Sequence, residues 1–129
     1  MKFAQRVLQI AGLYGLVALL PMYFMEEKTG RDFPPAITHP EYYYGFIGVA
    51  VAWQVAFLIM SRDPVRYRLL MIPAVIEKFS FGIAVVVLFA TGRVNELMLA
   101  AAVVDLVLGT LFAVAYVKTG GAEAGDRMP

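Results

Sequence analysis

Cysteine is absent from the 129 residues, which excludes disulfides, thiolate metal sites and thiol redox chemistry. Histidine occurs once, as His39, so an intramembrane b-type haem has no imidazole to hold it and zinc has no ligand set of the usual spacing. Excess charge is missing too. Eleven Lys and Arg against ten Asp and Glu leave a net charge of +1, and no global field draws nucleic acid or steers a charged substrate. The chain contains neither G-x-x-x-x-G-K nor G-x-S-x-G, which leaves nucleotide-driven and familiar hydrolytic mechanisms without a foothold. No metal, no cofactor and no nucleic-acid partner is expected.

What the chain has in surplus is apolar length. Apolar residues make up 60% and mean hydropathy is +0.71, above the roughly half apolar composition of ordinary soluble domains. Four apolar runs lie at about 5–25, 41–60, 66–91 and 96–118. About twenty residues rising 1.5 Å each cover the roughly 30 Å hydrocarbon layer, where every backbone group must pair within its own segment. The expected fold is therefore all-α, a transmembrane four-helix bundle running up-down-up-down within residues 1–120. The short polar stretch 121–129 is expected to be a disordered tail. The first run is followed by Met25-Glu26-Glu27-Lys28 rather than an A-x-A-like cleavage site, so it reads as a retained anchor, bent near its end by Pro21.

The connections carry the stop and start signals. Glu26 to Glu41, with three prolines and six charged residues, reads as a water-exposed loop. Thr38 or His39 is placed to cap the second helix, with Pro40 at its first position; an ordinary cap or turn role for His39 outweighs metal binding. Tyr42, Tyr43 and Tyr44 suit the headgroup level. Gly48, Ala52 and Ala56 form a small-residue stripe along which a neighbouring backbone is expected to approach. In Ser61 to Arg68, Asp63 is placed to cap and Pro64 to begin the third helix. Gly92 is placed to end that helix, and Asn95 to cap the fourth, which is expected to stop at Thr119-Gly120-Gly121.

Basic residues set the expected orientation. With a cytoplasmic amino terminus, the inner segments collect Lys2, Arg6, Arg62, Arg66, Arg68, Lys118 and Arg127, against Lys28, Arg31 and Arg93 outside. That bias places both termini in the cytoplasm. Arg62, Arg66 and Arg68 also suit anionic lipid headgroups, at about 1 kcal/mol per charge, although the same arginines are expected as topology determinants alone.

The informative constellation lies inside the membrane. Counted along their helices, Glu77 and Asp105 fall about 12 Å and about 18 Å from the cytoplasmic boundary, and Gln54 about 9 Å, with Gln9 similarly shallow on the first helix. An intramembrane charge costs about 2.5 to 3.5 kcal/mol on insertion scales, so Glu77, Lys78, Asp105 and Gln54 are expected to cluster. Lys78 neutralises one carboxylate. Because successive helical positions diverge by about 100°, Glu77 and Lys78 are not expected to point the same way. The acid left over either carries its proton or meets water or a guest cation in a cavity. In the simplest arrangement Lys78 pairs with Asp105, a neutral Glu77 hydrogen-bonds Gln54, and the cluster is interhelical glue. Pro73, four residues before Glu77, is placed to open a kink beside the acid. Trp53, Phe79, Phe81 and Phe89 read as packing or lipid contact rather than a substrate cage.

Four short spans, the opening YYYGFIGVA and the turn SRDPVRYR resemble small bacterial inner-membrane proteins of the DoxX-like kind. The resemblance implies a four-helix membrane bundle in the bacterial inner (plasma) membrane. The small multidrug exporters are similar in size but keep their essential acid in the first span, where this chain has Gln9 and Tyr14. Sterol isomerases and sterol-binding proteins of the EXPERA group offer an analogy of spans and buried acids only. The first functional expectation is a non-enzymatic membrane protein, a binding or accessory component whose polar cluster contacts a lipid-like ligand. Its expected partners are membrane lipids, a hydrophobic small molecule, and a second copy or another membrane component. The second is a proton-coupled transporter using Glu77 and Asp105. The third is an isomerase of a hydrophobic substrate, with one acid donating and the other accepting a proton. A cavity reaching Glu77 favours the second and third, and tight packing around it the first.

Overall fold

A computed structural model describes residues 2–127, with side chains described through residue 121. The first span, α1 (Lys2–Leu19), tightens into a 3-10 segment, Leu20–Phe24, that carries Pro21 in its first turn. Proline lacks the N–H that an α-helical turn would use, and the change of helix type falls where the sequence predicts a bend. The connection expected to be a loop contains a short helix, α2 (Glu26–Asp32). Its Glu26 and Glu27 sit in the first turn and Arg31 in the last, each complementing the helix dipole, and Lys28 pairs with Asp32 one turn on.

The second span, α3, runs Pro40–Arg62, with Pro40 in the first turn and His39 at the cap position. The His39 side chain makes no capping bond; its Nδ1 lies 3.2 Å from Glu41 and its ring stacks on Tyr42. Asp63 accepts a hydrogen bond from the Arg66 N–H at 3.2 Å. That bond caps only a turn. A 3-10 segment, Arg68–Leu70, intervenes before α4 (Met71–Ala90), so Pro64 does not begin the third helix. Pro73 consequently falls in the first turn of α4, where an N–H has no intrahelical partner, so it removes no hydrogen bond of that helix beside Glu77.

The connection from α4 to α5 (Glu96–Arg127) follows the sequence signals. Gly92 takes φ +74°, its N–H bonds Phe89 and the Arg93 N–H bonds Leu88, the paired closure of a Schellman motif. Asn95 Oδ1 accepts from the Met98 N–H at 3.1 Å. The stop expected at Thr119-Gly120-Gly121 is not observed, since α5 continues through Arg127. The expected disordered tail is thus helical to that point, and residues 128 and 129 lie outside those described.

Among the described residues four helices are long and apolar enough to cross a membrane, and no more than a third of the most apolar stretch of any of them is buried within the protein. Large side chains such as Val17 (75% exposed), Val117 (72%) and Ile76 (62%) cover the outside. Apolar surface on that scale needs lipid or another apolar partner. The main packed pairs are α1 with α3 and α4 with α5, joined through α1 and α5; α3 and α4 hardly touch. The seams use small residues. A Cβ on Gly12 would meet Leu58 and one on Gly15 would meet Gln54, while Gly82 faces Leu106 and Gly109 faces Phe79 and Lys78. Gly48, Ala52 and Ala56 do not form the expected seam: Ala52 is exposed, and the buried face of α3 is instead Tyr43, Ile47, Ala50, Gln54 and Phe57.

The bundle is solid at one end. Ala4, Leu8 and Ala11 pack with Phe57, Met60, Met71, Ala74, Phe112 and Ala115 in the half that holds Phe3 and Lys118, whose ammonium lies 4.3 Å from the Phe3 ring centroid. At the other end Tyr43 donates to the Met22 carbonyl at 2.6 Å and Tyr44 to Glu26 at 3.0 Å, tying α2 and the 3-10 segment to α3. Between these ends the structure is hollow.

Candidate functional site

All four spanning helices wall a cavity of about 220 Å³ above the packed core. Tyr14, Gly15, Ala18, Leu19 and Met22 come from the first span, Phe46, Ala50 and Gln54 from α3, Glu77, Lys78 and Phe81 from α4, and Met98, Ala101 and Asp105 from α5. The volume exceeds the roughly 150 Å³ apolar cavity that holds one benzene. Apolar side chains form most of the wall and the polar groups gather at its base.

The structure brings Glu77, Lys78 and Asp105 together. Lys78 is 3% exposed, and its Nζ lies 3.7 Å from Glu77 Oε2 and 3.6 Å from Asp105 Oδ1. Successive Cα–Cβ bonds do diverge, but the long lysine stem swings its ammonium back, so Glu77 and Lys78 meet after all. Both distances are ion-pair contacts, too long for hydrogen bonds. The ammonium also lies 5.3 Å from the Phe57 ring centroid, and Gly109 leaves room for the Lys78 Cβ. Each carboxylate is mostly covered by protein, at 22% and 16% side-chain exposure for Glu77 and Asp105.

Gln54 lines the same cavity, but its partner differs from the expected one. Its Nε2 donates to the Ala50 carbonyl one turn back at 2.9 Å, and its Oε1 has no hydrogen bond. Glu77 Oε2 has none either, so the expected Gln54–Glu77 hydrogen bond is not formed. Two acceptors at the base of the cavity are buried without a hydrogen bond, Glu77 Oε2 having only its 3.7 Å ion-pair contact with Lys78, the arrangement that an occupant or water completes. Gln9 does not join them, because it is exposed on the outer face of α1. The first span contributes Tyr14 and the notch at Gly15, which sequence reasoning missed; the Gly12 and Gly15 spacing is the signal that marks that seam.

A second space lies beside the first. A cleft of about 700 Å³ runs between α3 and α4, lined by Glu41, Tyr42, Gly45, Phe46, Val49, Ala50 and Trp53 on one side and Glu77, Ser80 and Phe81 on the other. Phe46, Ala50, Glu77 and Phe81 belong to both spaces. The Phe46 and Phe81 rings are nearly parallel, with centroids 6.3 Å apart.

The three arginines of the basic turn differ in their contacts. Arg62 and Arg66 are exposed, with Arg66 over the Tyr67 ring. Arg68 donates to the Tyr116 carbonyl at 2.9 Å and stacks on the Tyr116 ring, so it fastens the turn to α5. No family model, no curated protein and no solved structure matches the chain.

Proposed function

We propose that the protein is a non-enzymatic, multi-pass membrane component that binds a lipid-like small molecule in the cavity above Glu77, Lys78 and Asp105. The observation that carries this reading is a pair of buried acceptors without a hydrogen bond, Gln54 Oε1 and Glu77 Oε2, at the base of a largely apolar cavity. Interhelical glue would satisfy its own polar groups; a binding site leaves some for the occupant. The resemblance of the span pattern to DoxX-like proteins supports a bacterial inner-membrane location, and the basic-residue bias supports cytoplasmic termini.

A second reading, a proton-coupled transporter, is favoured by one observation: both carboxylates and the lysine reach one cavity. Against passage stands the core beneath, where Leu8, Ala11, Phe57 and Phe112 are fully enclosed. Native mass spectrometry of the protein extracted in mild detergent tests the two. Binding predicts a hydrophobic adduct that Glu77→Gln and Asp105→Asn reduce while folding is retained. An adduct-free protein that carries protons in vesicles, and loses that flux in either variant, would sink the binding reading.

A further inference from the structure

Granting the binding reading above, we infer that the occupant enters sideways from the bilayer between α3 and α4, and that it is a single-chain amphiphile whose head donates hydrogen bonds and carries no negative charge. The route follows from a pair of helices, consecutive in the chain, that does not close. Consecutive helices α3 and α4 hardly touch, and the cleft between them is lined mostly by apolar and aromatic side chains, with Glu41 at the start of α3 and Glu77 and Ser80 on α4. Glu77 lines both the cleft and the inner cavity, and the Phe46 and Phe81 rings stand where the two spaces adjoin. Parting two stacked rings joins the spaces, with no helix to displace. An alkyl chain then lies along Val49 and Trp53 with its head at Glu77.

The head is defined by what the site lacks. Among the described residues the two buried side-chain atoms without a hydrogen bond are both acceptors, Glu77 Oε2 meeting Lys78 only at ion-pair distance, so they call for a donor. Two carboxylates face a single ammonium, and a carboxylate or phosphate head would add a third anion where hydrocarbon screens nothing. An amine and a hydroxyl share the required chemistry.

Trp53 is the only tryptophan in the chain and lines the cleft, so its fluorescence reports occupancy. The full chain is reconstituted in phosphatidylcholine vesicles and titrated with a dodecyl amine, alcohol or carboxylic acid brominated near the chain end. The amine and the alcohol are expected to quench saturably, with the acid requiring about ten-fold more, the worth of one charge-assisted hydrogen bond. Glu77→Gln should weaken the amine by a similar factor. An acid that saturates alongside the other two overturns the head assignment while leaving the binding reading intact. Linear, unsaturable quenching by all three overturns the binding reading itself. For the route, Gly45→Leu fills the cleft from a position where an added Cβ meets nothing, and Val49→Phe fills it from a second. Both should slow quenching severalfold, whereas Ala52→Leu, exposed but outside the cleft, should not. Unchanged rates in both cleft variants overturn lateral entry.

Discussion

Gln54 is 1% exposed, and it fits because residue 15 has no side chain: a Cβ there would lie 2.0 Å from its Oε1. Gly15→Ala therefore forces the amide to move and should destabilise the bundle by about 1 to 3 kcal/mol, the usual range for overpacking. Gln54→Ala in the same chain should recover much of that loss, and thermal unfolding of the two single variants and the double variant in detergent reads the coupling. Additive losses would mean that the two residues do not share the space. Lys78 presents the electrostatic counterpart. Lys78→Met leaves Glu77 and Asp105 without their common cation and should cost about 3 to 5 kcal/mol, as removal of one partner from a buried pair does. Adding Glu77→Gln and Asp105→Asn should restore stability toward the parent, since an uncharged, well-filled site has no orphaned ion. The sequence exposes these charged residues because a charge in an apolar run is conspicuous. It hides Gly15, whose role depends on which helix lies opposite, and it misjudges Lys78, whose reach depends on rotamers rather than on helical angle.

Helix ends are legible for the opposite reason: their chemistry is local. Asn95 supplies an oxygen to the Met98 N–H, and Gly92 takes the positive φ that closes α4. Asn95→Ala should cost about 1 kcal/mol, and Gly92→Ala a comparable amount because an L side chain is strained there; both are measured by thermal unfolding. A fully neutral Asn95→Ala would show that α5 does not depend on its cap. Local signals mislead where two of them compete. Asp63 and Pro64 form a turn rather than a helix start, and the 3-10 segment at Arg68–Leu70 delays α4 until Met71. That delay moves Pro73 from mid-helix to first turn and removes the reason to expect a kink. Small-residue stripes mislead more deeply. Gly48, Ala52 and Ala56 have the same spacing as a packing seam, yet the close approaches occur at Gly12, Gly15, Gly82 and Gly109, because only the assembled bundle decides which stripe finds a backbone.

At the scale of the whole molecule, one half is packed and the other hollow, and the polar cluster marks the boundary between them. Both ends of the chain's spanning region lie at the packed end, where Lys118 covers the Phe3 ring. Which side of the membrane that end faces sets whether the hollow half opens toward the outer or the inner leaflet. In the orientation proposed above from the positive-inside bias, the packed end, with Arg62 and Arg66, would face the cytoplasm and Arg93 the outside. The absence of cysteine makes this a clean measurement. Arg62→Cys and Arg93→Cys each introduce a single thiol at an exposed position in a connection or helix end, away from the cavity. A membrane-impermeant maleimide applied to intact cells expressing each variant should label the residue 93 thiol, and should label the residue 62 thiol only after the cells are broken. The reverse pattern would invert the protein in the membrane, while equal labelling of both in intact cells would mean that the chain inserts in two orientations. In either case Glu77 would stay in the hydrocarbon layer, since its depth is set by helix length rather than by direction, but the leaflet from which an amphiphile reaches the α3–α4 cleft would change.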